Sequence, residues 1–312
     1  MVFKKVVSLM MGCLGLAKQP TQPAHLLSET TGESLSINEV QRCCNSQRIK
    51  LSDGRLLAYA ERGVPKSNSI YRVIVVHGFA SSKDMNFMAS QDLLDELKIY
   101  LVLFDRAGYG DSDPNPKRSL KTEASDIEQL ADKLQLGSWG VTSDDYRKGL
   151  SKWAVMVARC APGLLHLWLT QKLFPSSTVL DRNPSFFSAK DLEVLKNTPG
   201  YQLLNQNKIR DRTVFNSLRR DFIVAFGKWD FDPLDLQDPY PKQESMVHIW
   251  QGYEDKVVPF QLQRYVSEKL PWIRYHEVPD GGHLLVYDTA VCEAILRSLL
   301  LGEDSPLYNV HA

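Results

Sequence analysis

Two short runs of apolar, largely β-branched residues limit the folds open to this chain more than any other feature. Tyr71-Arg-Val-Ile-Val-Val76 and Ile99-Tyr-Leu-Val-Leu-Phe104 contain almost nothing polar. A strand wetted on one side alternates polar and apolar residues. A run that is apolar throughout belongs to a strand covered on both faces, as in a parallel sheet packed between helices. A helical pattern extends to residues 92–97 after the first run. Another spans 120–136 after the second, with Ala124, Ile127, Leu130, Ala131 and Leu134 on one face. This strand–helix–strand–helix order with short turns predicts an α/β fold built on a parallel sheet. Upstream, residues 49–59 alternate around Ser52-Asp53-Gly54 and read as a hairpin.

Beyond Gly137 the pattern changes. Residues 146–161, 164–174, 188–197 and 210–226 read as helices, the third opened by an N-cap at Ser188, and no buried-strand run interrupts them. Strands return at 246–250 and Ile273–Val278, with helices at 260–270 and 288–301, the last stopping at Gly302. The expected organisation is a leader over 1–47, a first half of the core over 48–137, a helical cap over 138–240 and a second half of the core over 241–312. Trp153, Trp168 and Trp229 are either ordinary cap core or an apolar floor for a small hydrophobic ligand. There are no internal repeats.

Three motifs carry chemistry. His77-Gly78-Phe79 directly follows a buried strand. A backbone N–H just after such a turn can point at a developing oxyanion, although a tight strand-to-loop turn needs the same residues. Gly252-x-x-Asp255-x-x-x-Pro259 follows another strand. An acid placed there can accept the N–H of an imidazole and hold its tautomer; Asp255 could equally cap the next helix, and Glu254 competes for the role. Gly281-Gly282-His283 follows the last strand, 28 residues beyond Asp255, which leaves room for one helix and one strand. A fourth segment, Asp105-Arg-Ala-Gly-Tyr-Gly-Asp-Ser112, is rich in glycine, but no helix opens at its second Gly. It reads as a structural loop, not a nucleotide cradle.

In this order the motifs resemble the α/β-hydrolase superfamily, specifically its plant-type, cap-containing esterases and lipases. The resemblance covers about residues 48–137 and 144–302. It implies a nucleophile–acid–histidine triad with His283 as base and Asp255 as its orienting acid. It also implies half an oxyanion hole at Phe79 beside His77 and Gly78, ester substrates, and neither cofactor nor metal. The chain departs from the family at one point: no G-x-S-x-G occurs, nor G-x-C-x-G or G-x-D-x-G. Such a turn should follow residues 136–138, yet the sequence passes straight into cap-like residues. Gly140-Val141-Thr142-Ser143-Asp144 lacks the final Gly, Ser112 lies in a structural loop and Ser151 on a cap helix, so none is a good substitute. The family would place two central strands here. Their loss should leave the strands at 73–76 and 246–250 without neighbours, so that the sheet must close directly, pair with another chain, or fold poorly. A shortened isoform of an intact hydrolase is one source of such a chain; a non-catalytic binding protein is the alternative reading.

Composition sets the remaining limits. Lys+Arg and Asp+Glu are both 37, so the chain is formally neutral and offers no electrostatic footprint for nucleic acid. Five cysteines without a C-x-x-C pair argue against a zinc site and for reduced thiols in an intracellular setting. Lys4 and Lys5 precede an apolar run from Val6 to Ala17. As a helix at ~1.5 Å per residue it falls short of the ~30 Å hydrocarbon core, so it reads as a targeting segment, a shallow membrane-surface anchor over 1–17, or an amphiphilic helix.

Overall fold

The computed structural model describes residues 6–10, 47–85, 87–136, 151–170, 187–197, 209–227, 229–241 and 246–303. Its first strand, β1 (Val6–Met10), is followed by the hairpin β2 (Gln47–Lys50) and β3 (Leu56–Gly63), then β4 (Tyr71–Val76), α1 (Gln91–Glu96), β5 (Ile99–Phe104) and α2 (Leu120–Lys133). Four further helices are α3 (Ser151–Cys160), α4 (Pro162–Thr170), α5 (Ala189–Asn197) and α6 (Arg212–Phe226). The chain closes with β6 (Val247–Gly252), α7 (Phe260–Lys269), β7 (Ile273–Val278) and α8 (Thr289–Leu301). The helices start where short polar side chains can take orphan N–H groups. Ser90, Ser119, Asp211 and Asp288 each cap one, and Ser119 forms a reciprocal capping box with Thr122. Helix α8 stops at Gly302, whose φ of 74° suits a residue without Cβ.

The strands form a five-stranded sheet in the order β1-β4-β5-β3-β2 and a separate parallel pair, β6-β7. Strands β1, β4 and β5 are parallel to one another; β3 runs antiparallel to β5 and to β2. The apolar runs of β4 and β5 are covered on both faces, as their composition demands. Val73, Val75, Ile99, Leu101 and Leu103 pack towards α1 and α8, with Leu284 and Val286. Ile74, Val76, Tyr100, Val102 and Phe104 pack towards Ile127, Leu130 and Ala131 of α2. The loop after β7 is thereby seated against the five-stranded sheet through Leu284 and Val286, although β7 itself belongs to the other sheet.

The amino-terminal run corrects two expectations. Val6–Met10 is a strand, not a helix, and it pairs in parallel with β4 in the register Val6↔Arg72 to Met10↔Val76. It occupies the β4 edge expected from the sequence to lack a neighbour, so the sheet neither closes directly from β4 to β6 nor leaves that edge bare. A strand needs only a row of free N–H and C=O groups and five extended residues, which an apolar run too short to span a bilayer can supply. No helix among the described residues is long and apolar enough to cross a membrane. The rest of the expected leader, residues 1–5 and 11–46, and the degenerate turn at 140–144 lie outside the described residues.

Candidate active site

Asp255 and His283 sit on loops at the carboxyl ends of neighbouring parallel strands, β6 and β7. The two loops are held together by their backbones. Glu254 donates its N–H to Gly281 O at 2.9 Å and Tyr253 donates to Val278 O at 3.0 Å. A Cβ on Gly252 would collide with the carbonyls of Gly281 and Gly282. Glycine at 252 is therefore what lets the loops touch, and the contact brings Asp255 Oδ2 to 3.0 Å from His283 Nδ1. Both side chains are 7% exposed. The carboxylate accepts, so Nδ1 carries the hydrogen and Nε2 is left as the basic nitrogen.

The same carboxylate also caps its own loop. Asp255 Oδ1 accepts the N–H of Val257 at 2.8 Å and of Val258 at 2.9 Å, and Oδ2 lies 3.3 Å from Gln251 Nε2. The capping reading and the acid reading of Asp255 are thus two halves of one geometry. Glu254, the competitor, is exposed. Burial opposes the charge on Asp255, but His283 and the two amides outweigh it and keep the carboxyl below its ordinary range. Burial also opposes an imidazolium at His283; the charge and hydrogen bond of Asp255, with the charge of Asp191, prevail and lift it above the usual histidine value.

The loop after β4 is built differently. His77 is 1% exposed, and both of its ring nitrogens are taken up by backbone. The Arg106 N–H donates to Nε2 at 3.0 Å, so Nδ1 carries the hydrogen and donates to Gly78 O at 2.8 Å. Burial and the Arg106 charge hold His77 neutral, well below the ordinary histidine value. The Gly78 carbonyl also accepts Arg106 Nη2 at 3.0 Å. Phe79 is half-buried and packs with Ala80, Tyr109 and Phe215. His77 therefore fixes the shape of the loop that contains Phe79. The loop at 105–112 is likewise spent internally: Asp105 accepts the N–H of Lys83 at 2.7 Å and of Asp111 at 3.0 Å, and Ser112 Oγ donates to Asp105 O at 2.7 Å. Ser112 also accepts from Ala58 N at 2.8 Å and has no catalytic geometry.

Two buried acids that the motifs did not single out surround these loops. Asp221 on α6 accepts Arg106 Nη1 at 2.9 Å, Arg106 Nη2 at 2.5 Å and Tyr109 Oη at 2.5 Å, and pairs with Arg118 at 3.3 Å. Asp191 on α5 contacts the His283 loop directly. Only Asp191 had a local signal, its place three residues after the N-cap Ser188. Of the cap tryptophans, Trp229 donates its N–H to Val224 O at 2.9 Å and stacks on Phe231. The side chains of Trp153 and Trp168 lie outside the described part. No group of three or more metal-ligating side chains occurs among the described residues.

No protein-family model and no curated protein matches this sequence. Solved structures do. An alpha/beta hydrolase fold protein from Chitinophaga pinensis matches with a TM-score of 0.53 at 16% identity, over 82% of this chain and 97% of that one. A hydrolase from Pseudomonas aeruginosa PA01 matches at TM-score 0.50 and 16% identity over 84% of this chain and all of its own. A bromoperoxidase from Bacillus anthracis matches at 0.50 and 19%, over 81% and 98%. The chain has the α/β-hydrolase fold. In a hydrolase fold of this kind ligands meet the carboxyl ends of the strands, which is where Asp255, His283 and Phe79 lie. The described cysteines, exposed Cys160 and buried Cys292, are free thiols.

Proposed function

We propose that this hydrolase-fold chain retains the acid–base half of an ester-hydrolase site and lacks the nucleophile that would complete it. The observation that carries the reading is the Asp255–His283 hydrogen bond of 3.0 Å between strand-end loops, in a sequence without any G-x-S-x-G turn. Asp255 fixes the tautomer, Nε2 of His283 is the base, and the N–H of Phe79 supplies one donor to an oxyanion. In an intact site the second donor is the N–H of the residue after the nucleophile. Nucleophile and donor therefore disappear together, and the residual catalysis that an oxyanion hole gives a triad-deleted enzyme goes with them. The expected ligand is a small hydrophobic carboxylic ester, bound without acyl transfer. Structural neighbours named as a lipase and a membrane phospholipase A support that substrate class.

A short aryl ester tests the reading. The purified chain should show no burst, no turnover above the His283→Ala variant and no labelling by a fluorophosphonate, while the ester raises its melting temperature. Burst kinetics with covalent labelling would overturn it.

The join itself supports a shortened isoform. Sequence on both sides of Ser138 fits a hydrolase, whereas 136–145 contains no strand-like run. Transcripts spanning those codons should include this short form; finding only messages that encode a G-x-S-x-G segment would exclude it.

A further inference from the structure

Asp191 is the third residue of α5 and forms a capping box with Ser188. It donates its N–H to Ser188 Oγ at 3.1 Å, and its Oδ2 accepts the N–H of Ser188 at 3.0 Å. A capping carboxylate has usually done its work at that point. This one accepts two more backbone amides from a loop 92 residues further along the chain: His283 N–H on Oδ2 at 3.0 Å and Leu284 N–H on Oδ1 at 2.8 Å. Asp191 is 1% exposed. A Cβ on Gly282 would run into the Asp191 carboxylate and the Ser188 hydroxyl, so the glycine before the histidine makes room for this contact. The same stretch reaches the acid loop as well, because Lys256 Nζ donates to Phe187 O at 3.2 Å. Residues 187–191 therefore bridge the loop of Asp255 and the loop of His283.

We propose that Asp191 is a positioning residue, through which the α5 block of the cap region holds His283 on Asp255. The proposal deepens the ester-hydrolase reading, since it names what assembles the acid–base half of that site. The physical reason is economy of freedom. His283 follows two glycines, and a loop with so little intrinsic preference needs external anchors. Asp255 restrains only the imidazole; Asp191 restrains the backbone beneath it. Its carboxylate also adds negative charge beside His283, which favours the imidazolium. Displacing α5 would free the His283 backbone and loosen the base on the acid, while the Glu254–Gly281 and Tyr253–Val278 backbone bonds still join the two loops.

Histidine NMR on the full chain tests this without any turnover. In the wild type the His283 Nδ1 proton bonded to Asp255 should resonate far downfield, its assignment checked by its loss in His283→Gln. Asp191→Asn should abolish or broaden that resonance and move the His283 titration to lower pH. Ser188→Ala, which removes the hydroxyl cap but keeps both amide contacts to the loop, should lower stability and leave resonance and titration in place. Should Asp191→Asn fail to fold, amide exchange in the wild type decides. The His283 and Leu284 amides should exchange with the same opening free energy as the first turn of α5; fast, independent exchange overturns the proposal. An unchanged resonance and titration in folded Asp191→Asn also overturns it. Burst kinetics in the wild type would sink the disarmed-hydrolase reading yet leave the role of Asp191 standing, so the two fail separately.

Discussion

Replacing Asp221 by alanine should come close to unfolding the protein. Asp221 sits on α6, 4% exposed, and neutralises guanidinium groups from two core segments: Arg106 at 2.5 and 2.9 Å and Arg118 at 3.3 Å, with Tyr109 Oη donating at 2.5 Å. Among the described residues, the other acid paired with these guanidinium groups is Glu123, 2.5 Å from Arg118 Nε and 3.4 Å from Arg106 Nη1. Two cations balanced by two carboxylates become two cations against one, in a site closed to water. Breaking a buried pair by removing one partner costs about 3–5 kcal/mol, because a charge is left uncompensated. A whole domain is stable by only ~5–15 kcal/mol. Urea denaturation should show an unchanged slope and a midpoint lowered by that free energy divided by the slope. Asp221→Asn should fall nearly as far, since it keeps the shape and loses the charge. Asp230→Asn breaks the exposed ion pair with Lys121, which water screens, and should leave the urea midpoint essentially where it is. The pH dependence has a definite sign. Burial opposes the Asp221 charge, but Arg106 and Arg118 overcome it and hold the carboxyl far below its unfolded value. A depressed carboxyl contributes its stability above the unfolded value of ~3.9 and loses it as pH falls towards the folded value. The wild-type advantage over Asp221→Ala should therefore be full above about pH 5 and shrink in acid. If Asp221→Ala melts within ~1 kcal/mol of the parent, this network is not what fastens α6 to the core.

Three further outcomes follow from the same geometry. Asp255→Asn keeps an oxygen for the Val257 and Val258 amides but removes the charge facing His283, so the His283 titration followed by NMR should move down; because that value is raised in the fold, the stability it adds is full below about pH 6.5 and fades as pH rises through it. Deleting residues 1–10 takes β1 from the edge of β4, leaves backbone groups unpaired at ~1–3 kcal/mol each, and should lower the urea midpoint and promote self-association; a dispensable leader would leave both unchanged. Gly110→Ala forces a Cβ into the Asp105 carboxylate at a φ of 47°, and its thermal melt should fall by an amount equivalent to ~1–3 kcal/mol.

Much of the core was legible because its signals are local. The runs that became β4 and β5 are apolar throughout, α2 shows its stripe at helical spacing, and Ser52-Asp53-Gly54 marks the β2–β3 turn. That Asp255 and His283 lie on strand-end loops was legible from the glycines that precede them after strand-like runs. The strand Val6–Met10 was not. Its composition suits a helix, an anchor or a strand equally, and the choice was made by the open edge of β4, 66 residues away in the paired register Val6↔Arg72. The roles of Asp191 and Asp221 were hidden for a related reason: each is an ordinary helix residue until the chain brings distant amides or guanidinium groups against its carboxylate.

Taken alone, the sequence determined the alternation of strands and helices, the turns, and the absence of any G-x-S-x-G motif. Side-chain periodicity, β-branching and glycine dihedral freedom act within a few residues, so they can be read along the chain. Tertiary structure alone decided which strand borders β4, that the His77 ring serves the backbone, and which loops the carboxylates of α5 and α6 contact. Those outcomes depend on hydrogen bonds and charges about 3 Å apart in space but, for Arg106 and Asp221, 115 residues apart in sequence. At that separation only the folded chain specifies which groups meet, and in a buried site the partner determines what a carboxylate does.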